Sequence, residues 1–253
     1  MSAIVVCSGK GSPGATFVAA NLAAAMARAG DEILLLDLDP SGGDLCCYLG
    51  LNPRLGLYPL LRMERSISET TRLLGEAEER SGFLVVCGFP EPSELASADV
   101  LAEALSAALG SGRTVVADIG RVSEANASVA AKADLVELVV RADLVSVLGA
   151  ERDIRQLEVG GTRRERIAVV VCGHERRRPA DLVEVGDALG LPLLGAVPLD
   201  RRAARNALLA QAPAGGRTLR RAFDALSATA GRILAEADRE AEAVAPELAK
   251  VWA

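Results

Sequence analysis

The chain has 253 residues, half of them hydrophobic, with a formal net charge of −6 and a pI near 5.1. That length and apolar content can bury one substantial core, and a single α/β domain spanning 1–253 is the expected organisation. The acidic balance argues against attraction of polyanions by the surface as a whole and leaves that task to local basic clusters.

The start, Met1-Ser2-Ala3-Ile4-Val5-Val6, has no basic segment ahead of its apolar residues, and no uninterrupted apolar run approaches membrane-spanning length. Cys7, Cys46, Cys47, Cys87 and Cys172 show neither a C-x-x-C spacing nor a histidine at ligand distance. The expectation is a cytoplasmic protein with reduced, mostly buried thiols and at most peripheral contact with a membrane.

The first strand is Ala3 to Cys7, followed by a glycine-rich turn and an alanine-rich helix from Phe17 to Ala29, which Gly30-Asp31 stops. A strand is expected at Ile33 to Asp39, a short helix at Leu45 to Gly50, a surface crossing from Arg54 to Leu61 and a helix near Ser66 to Ala77. The continuous apolar run Gly82 to Cys87 suits a strand buried on both faces. A helix from Ser93 to Leu109 then leads to a strand Arg113 to Asp118, a helix from Ser123 and a strand Leu135 to Val140. The remainder reads as helix Leu144 to Leu157, strand Ile167 to Cys172, helix Pro179 to Leu189 and strand Pro192 to Val197. A helical pattern from Arg217 to Lys250, breaking near Ala237 or Pro246, completes the chain. Such alternation predicts a mostly parallel central sheet flanked by helices on both faces.

Chemistry concentrates in Gly9-Lys10-Gly11-Ser12-Pro13-Gly14-Ala15-Thr16. A glycine-rich turn between a buried strand and a helix N-terminus points backbone N–H groups at one spot, where the helix dipole also favours negative charge. Against the phosphate-loop pattern G-x-x-x-x-G-K-[ST], Gly9 and Gly14 fall on the glycines, Thr16 on the magnesium-binding hydroxyl and Ala15 on the lysine. Pro13 takes one backbone donor out of the turn. The alternatives from the residues alone are a plain glycine turn, Thr16 as an N-cap, and strand-end aspartates that only order turns.

With its second lysine at Lys10, and with Asp37-Leu38-Asp39-Pro40-Ser41-Gly42-Gly43-Asp44 after the second strand, the chain resembles the ParA/MinD group of P-loop ATPases. Within it the chain is most similar to the CpaE/TadZ and septum-site-like branch, whose members often carry alanine for the P-loop lysine. The resemblance implies a P-loop NTPase domain in which Gly9, Lys10, Gly11, Ser12, Gly14, Ala15, Thr16 and Phe17 surround ATP or ADP phosphates. It puts Pro198 on the adenine side, Thr16 and Asp118 on Mg2+, and Asp39 on the attacking water. Lys10 would reach phosphate across a homodimer interface. The asparagine that the family presents to adenine has no counterpart after Val169-Val170-Val171-Cys172-Gly173.

For function, the resemblance implies a dimer that positions a pilus or secretion ATPase, or another polar assembly, with hydrolysis weak or absent. Two alternatives stand beside it. One is a nucleotide-independent scaffold. The other is a DNA-partition ATPase using Arg163-Arg164-Glu165-Arg166, Arg176-Arg177-Arg178 and Arg201-Arg202 with Arg205. The C-terminal apolar positions Leu219, Phe223, Leu226, Ala230, Ile233 and Leu234 read as a face packed on the sheet, and His174 as a loop residue.

Overall fold

The computed structural model describes residues 2–9, 14–52, 54–62, 69–174 and 180–251. Lys10, Gly11, Ser12 and Pro13 of the loop, and the cluster Arg176-Arg177-Arg178, therefore lie outside the described residues.

The chain begins with β1 (Ala3–Ser8), α1 (Ala15–Ala29) and β2 (Ile33–Asp37). α2 (Leu45–Leu49), α3 (Leu57–Arg62), α4 (Thr70–Gly75), β3 (Glu78–Arg80) and β4 (Phe83–Val86) follow. Next come α5 (Ala98–Leu109), β5 (Thr114–Arg121), α6 (Glu124–Ala130), β6 (Leu135–Val140) and α7 (Leu144–Val159). The chain ends with β7 (Ile167–His174), α8 (Ala180–Leu189), β8 (Leu193–Pro198), α9 (Arg201–Ala210) and α10 (Arg217–Val251). The eight strands form one sheet in the order β3-β4-β2-β5-β1-β6-β7-β8, parallel except for the antiparallel edge strand β3. This is the predicted α/β architecture.

Two apolar layers hold it. On one face α1, α2, α9 and α10 pack through Val18, Leu22, Leu49, Ala207 and Phe223 on Ile4, Val6, Leu35 and Val170. The opposite face carries α3 to α8, with Leu60, Leu73, Leu101, Val129, Ile154 and Val185 against Val5, Leu36 and Leu138. The sequence's apolar C-terminal face is thus confirmed: Leu219, Phe223, Leu226, Ala230 and Leu234 are buried. Burying a side chain the size of Phe223 contributes about 1.5–3 kcal/mol.

Several expectations are corrected. Arg54 to Leu61 does not simply cross the surface: Leu57 and Leu60, one turn apart, are buried and draw the segment into α3, and the Leu57 N–H donates to the Cys87 carbonyl at 2.8 Å. The helix expected from Ser66 is described only as α4, since 66–68 lie outside the described residues. α5 starts at Ala98 rather than Ser93, because the Ser97 hydroxyl accepts from the Val100 N–H and caps it. Arg201, Arg202 and Arg205 stand on α9, a helix the sequence did not announce, whose start is capped by Asp200 accepting the Ala203 N–H at 2.9 Å.

The C-terminal segment is one helix, α10, which continues through both Ala237 and Pro246 without the expected interruption; Ala237 is itself a strong helix former. His174 ends β7 rather than standing in a loop, and its Nδ1 is buried without a hydrogen-bond partner. Of the thiols, Cys7, Cys87 and Cys172 are buried as expected, but Cys46 is half-buried and Cys47 exposed.

Candidate nucleotide-binding site

The parallel strands end on the edge where the chain passes from β1 into α1. Gly14 caps α1 with a φ of 103°, left-handed backbone that favours glycine. Asn21, a polar residue inside an otherwise apolar stretch of α1, fixes the surroundings. Its Nδ2 donates to the Phe17 carbonyl at 2.7 Å and to the Tyr48 hydroxyl at 3.1 Å, while its Oδ1 accepts the Ala214 N–H at 2.6 Å. One buried amide thus ties α1 to α2 and to the segment before α10.

A cleft of about 780 Å³ opens here. The described residues lining it include Gly9, Gly14, Ala15, Thr16 and Phe17 from the loop and α1, and Asp39, Ser41 and Asp44 from the turn after β2. Cys47 and Tyr48 of α2, Gly120 and Arg121 of β5, and Ala204 and Leu208 of α9 complete it. Phe17 stacks edge-on against Tyr48 and Phe223, with ring centroids 6.2 and 5.8 Å away. Pro198, expected on the adenine side, ends β8 and is not among these lining residues; α9 stands there instead.

Asp118 lies within β5 rather than at its end, because pairing with β1 continues to Arg121. Its Oδ1 accepts the Gly120 N–H at 3.0 Å and its Oδ2 has no hydrogen-bond partner. Burial pushes its carboxyl up to about 6, against the pull of the Thr16 hydroxyl and the Gly120 N–H towards the charged form. Asp37, directly opposite in β2, is raised well above the usual carboxylate range by burial and then by the Asp118 charge, and its Oδ2 is also unpartnered. Asp39 is raised by partial burial, while its Oδ1 accepts the Ser41 N–H at 2.8 Å. Gly120, with φ at +63°, is required twice over, since a Cβ there would collide with the Asp39 carboxylate.

These features fit Mg2+ with phosphate. A buried carboxylate oxygen lacking a partner sits beside the Thr16 hydroxyl, as a metal-bound water would need. Among the described residues no three His, Cys, Asp or Glu side chains converge as a metal-binding group, so the cation would rely on ligand phosphate and water as well.

The basic clusters are partly spent on the fold. Arg164 pairs with Glu158 at 3.0 Å and donates to the Leu189 carbonyl, and Arg166 donates to the Ala133 carbonyl at 2.9 Å. No helix among the described residues is long and apolar enough to cross a membrane. Sequence reasoning missed Asn21, Tyr48 and Arg121. The signal for Asn21 was its polarity within the apolar run Val18 to Met26, and for Arg121 its place just beyond Asp118.

A glycine-bounded loop feeding a helix at the carboxyl edge of a parallel sheet defines the P-loop class of α/β domains. Residues 4–212 match the model of the CobQ/CobB/MinD/ParA nucleotide-binding domain, and the chain belongs to that family. Its fold is similar to that of a ParA family ATPase from Chlorobium tepidum, with a TM-score of 0.75 at 18% identity over 89% of this chain and 98% of that one. The septum site-determining protein MinD of Pyrococcus horikoshii, solved with Mg-ADP, superposes with a TM-score of 0.73 at 20% identity over 89% and 94%. In sequence, EpsB of Ralstonia solanacearum, a candidate tyrosine-protein kinase, is 36% identical over 149 residues, covering 57% of this chain. The match spans only 20% of that relative's length.

Proposed function

We propose that this protein binds ATP or ADP with Mg2+ in the cleft, associates as a homodimer and positions a pilus, secretion or other polar assembly in the manner of the CpaE/TadZ branch. Hydrolysis is weak or absent. The observation that carries the reading is that Gly9, Gly14 and Thr16 line one cleft, with Asp118 buried beside the Thr16 hydroxyl and one of its carboxylate oxygens without a hydrogen-bond partner. Magnesium, when bound, supplies charge neutralisation on the phosphates. The chain's own part is to wrap them with loop amides, anchor the metal through Thr16 and Asp118, and place Asp39 where a water would attack.

Ala15 divides binding from turnover. A hydrogen bond to a charged group contributes about 1.5–3 kcal/mol, so the missing lysine costs about ten- to a hundredfold in affinity, which binding survives. Turnover suffers more, because charge moves towards the leaving phosphate in the transition state. Lys10, supplied by the second subunit, would offset part of the loss.

The acid excess around the cleft favours one second reading, a scaffold that has kept the fold and lost the nucleotide. Phosphate release and light-scattering mass, measured with and without MgATP, separate the two. Nucleotide-dependent dimers with little phosphate release support the proposal; a mass and a release rate indifferent to MgATP support the scaffold.

A further inference from the structure

Carboxyl groups outnumber basic groups at the cleft. Asp39 and Asp44 line it, Asp37 and Asp118 are buried beside it, and the position where a P-loop lysine is expected is Ala15. A polyphosphate entering such a site needs a cation. Among the described lining residues the only lysine or arginine is Arg121.

Arg121 is placed for that task by β-sheet register. It ends β5, on the strand that carries Asp118, and pairs with Ser8, the residue before Gly9. Its backbone is fixed: the carbonyl accepts the Asn126 Nδ2–H at 2.8 Å, and the same amide group donates to Ile119 and, through Oδ1, accepts the Ser123 N–H. The side chain is exposed and forms no ion pair within 4.0 Å among the described residues. A guanidinium held at its root and free at its tip stands at the mouth of the cleft.

On its other side lies Asp153 of α7. The Asp153 carboxylate abuts Gly9, where even a Cβ would collide with it, and its Oδ2 is buried without a hydrogen-bond partner. Burial raises the Asp153 carboxyl above its ordinary value, against the opposing pull of the Arg121 and Arg152 charges. The guanidinium therefore has two claims on it, an internal carboxylate beside the loop and any anion in the cleft.

We propose that Arg121 supplies the cation that Ala15 lacks, its guanidinium binding the terminal phosphates of a nucleotide against the weaker attraction of the Asp153 carboxylate beside the loop. Guanidinium suits the part: it is always charged, and its planar fork binds phosphate through two parallel hydrogen bonds. It approaches from the strand end rather than from the helix, so the charge is replaced without restoring the loop. Affinity then depends on phosphate number, with MgATP favoured over AMP. The assignment rests on the cleft being a nucleotide site.

Equilibrium dialysis with labelled MgATP and AMP tests it, with circular dichroism melts alongside. Arg121→Ala is expected to weaken MgATP binding about ten- to a hundredfold while leaving AMP little changed and the melting temperature unmoved. Arg121→Lys should lose less, Asp153→Asn should bind MgATP more tightly, and Ala15→Lys should restore affinity in the Arg121→Ala background. Equal MgATP affinity in the wild type and a folded Arg121→Ala protein overturns the assignment while leaving the nucleotide reading intact. A wild type that retains no MgATP overturns both.

Discussion

Asp37 and Asp118 face each other across adjacent strands β2 and β5, both buried, each with one carboxylate oxygen lacking any hydrogen-bond partner. Two like charges held out of water oppose folding unless a cation or a proton intervenes. Asp118→Asn keeps an oxygen for the Gly120 N–H and removes one charge. In metal-free urea melts the variant is expected to be more stable than wild type by about 1–3 kcal/mol. The same change should abolish the contribution of Mg2+ to nucleotide affinity. A variant less stable than wild type without metal contradicts this account of the pair.

Glu137 gives a pH dependence of definite sign. It lies in β6 between Val6 of β1 and Ala168 of β7, fully buried, with neither oxygen partnered. Burial raises its carboxyl from 4.5 to about 8. The folded state thus holds a proton that the unfolded chain releases. Its contribution is fully present below the unfolded value and is lost as pH rises through the folded one, by about 1.4 kcal/mol per pH unit within that window. Glu137→Leu should flatten this part of the stability profile between pH 5 and 8 and raise stability at pH 8. Chemical denaturation across that range is the measurement, and an unchanged slope would falsify the assignment.

The order of cysteine reactivity follows from burial. Cys47 is exposed and lines the cleft, Cys46 is half-buried, and Cys7, Cys87 and Cys172 are buried, with burial raising the thiols of Cys7, Cys87 and Cys172 above their ordinary value. A thiol reagent at neutral pH should modify Cys47 first and the three buried cysteines only on unfolding. Saturating MgATP should slow the first reaction severalfold. Labelling that is indifferent to nucleotide would place bound nucleotide away from α2.

The alternation of strands and helices was legible because buried parallel strands are continuous apolar runs, Leu135 to Val140 being an example that the fold reproduces. Elements with polar sequences were not. β3 consists of Glu78, Glu79 and Arg80, and is a strand only because it pairs with β4 at the sheet edge. α9 begins with arginines, and its helical character rests on the Asp200 cap and the burial of Ala207.

Of the candidate site, Gly9, Gly14, Thr16, Asp39 and Asp118 were named from the sequence, and the structure gathers them at or beside one cleft. The facing of Asp37 with Asp118 was hidden, since it depends on β5 inserting between β2 and β1, and strand order is not written in hydropathy. Arg121 was hidden for the same reason: its nearness to Gly9 is a matter of register between β5 and β1.

Substituting Ala15→Lys should tighten MgATP binding about tenfold or more and raise phosphate release, because it returns a cation to the N-terminus of α1 at a position that lines the cleft. Fluorescence competition and a phosphate assay report the two effects separately. Equal affinities in the two proteins would mean that the cleft has no use for a cation there.

The measurement nearest the central claim is calorimetric titration of the wild-type protein with ATP and with ADP in the presence and absence of Mg2+. The account predicts saturable one-to-one binding that strengthens with magnesium. No heat up to millimolar nucleotide, from protein whose melting shows it folded, would contradict it.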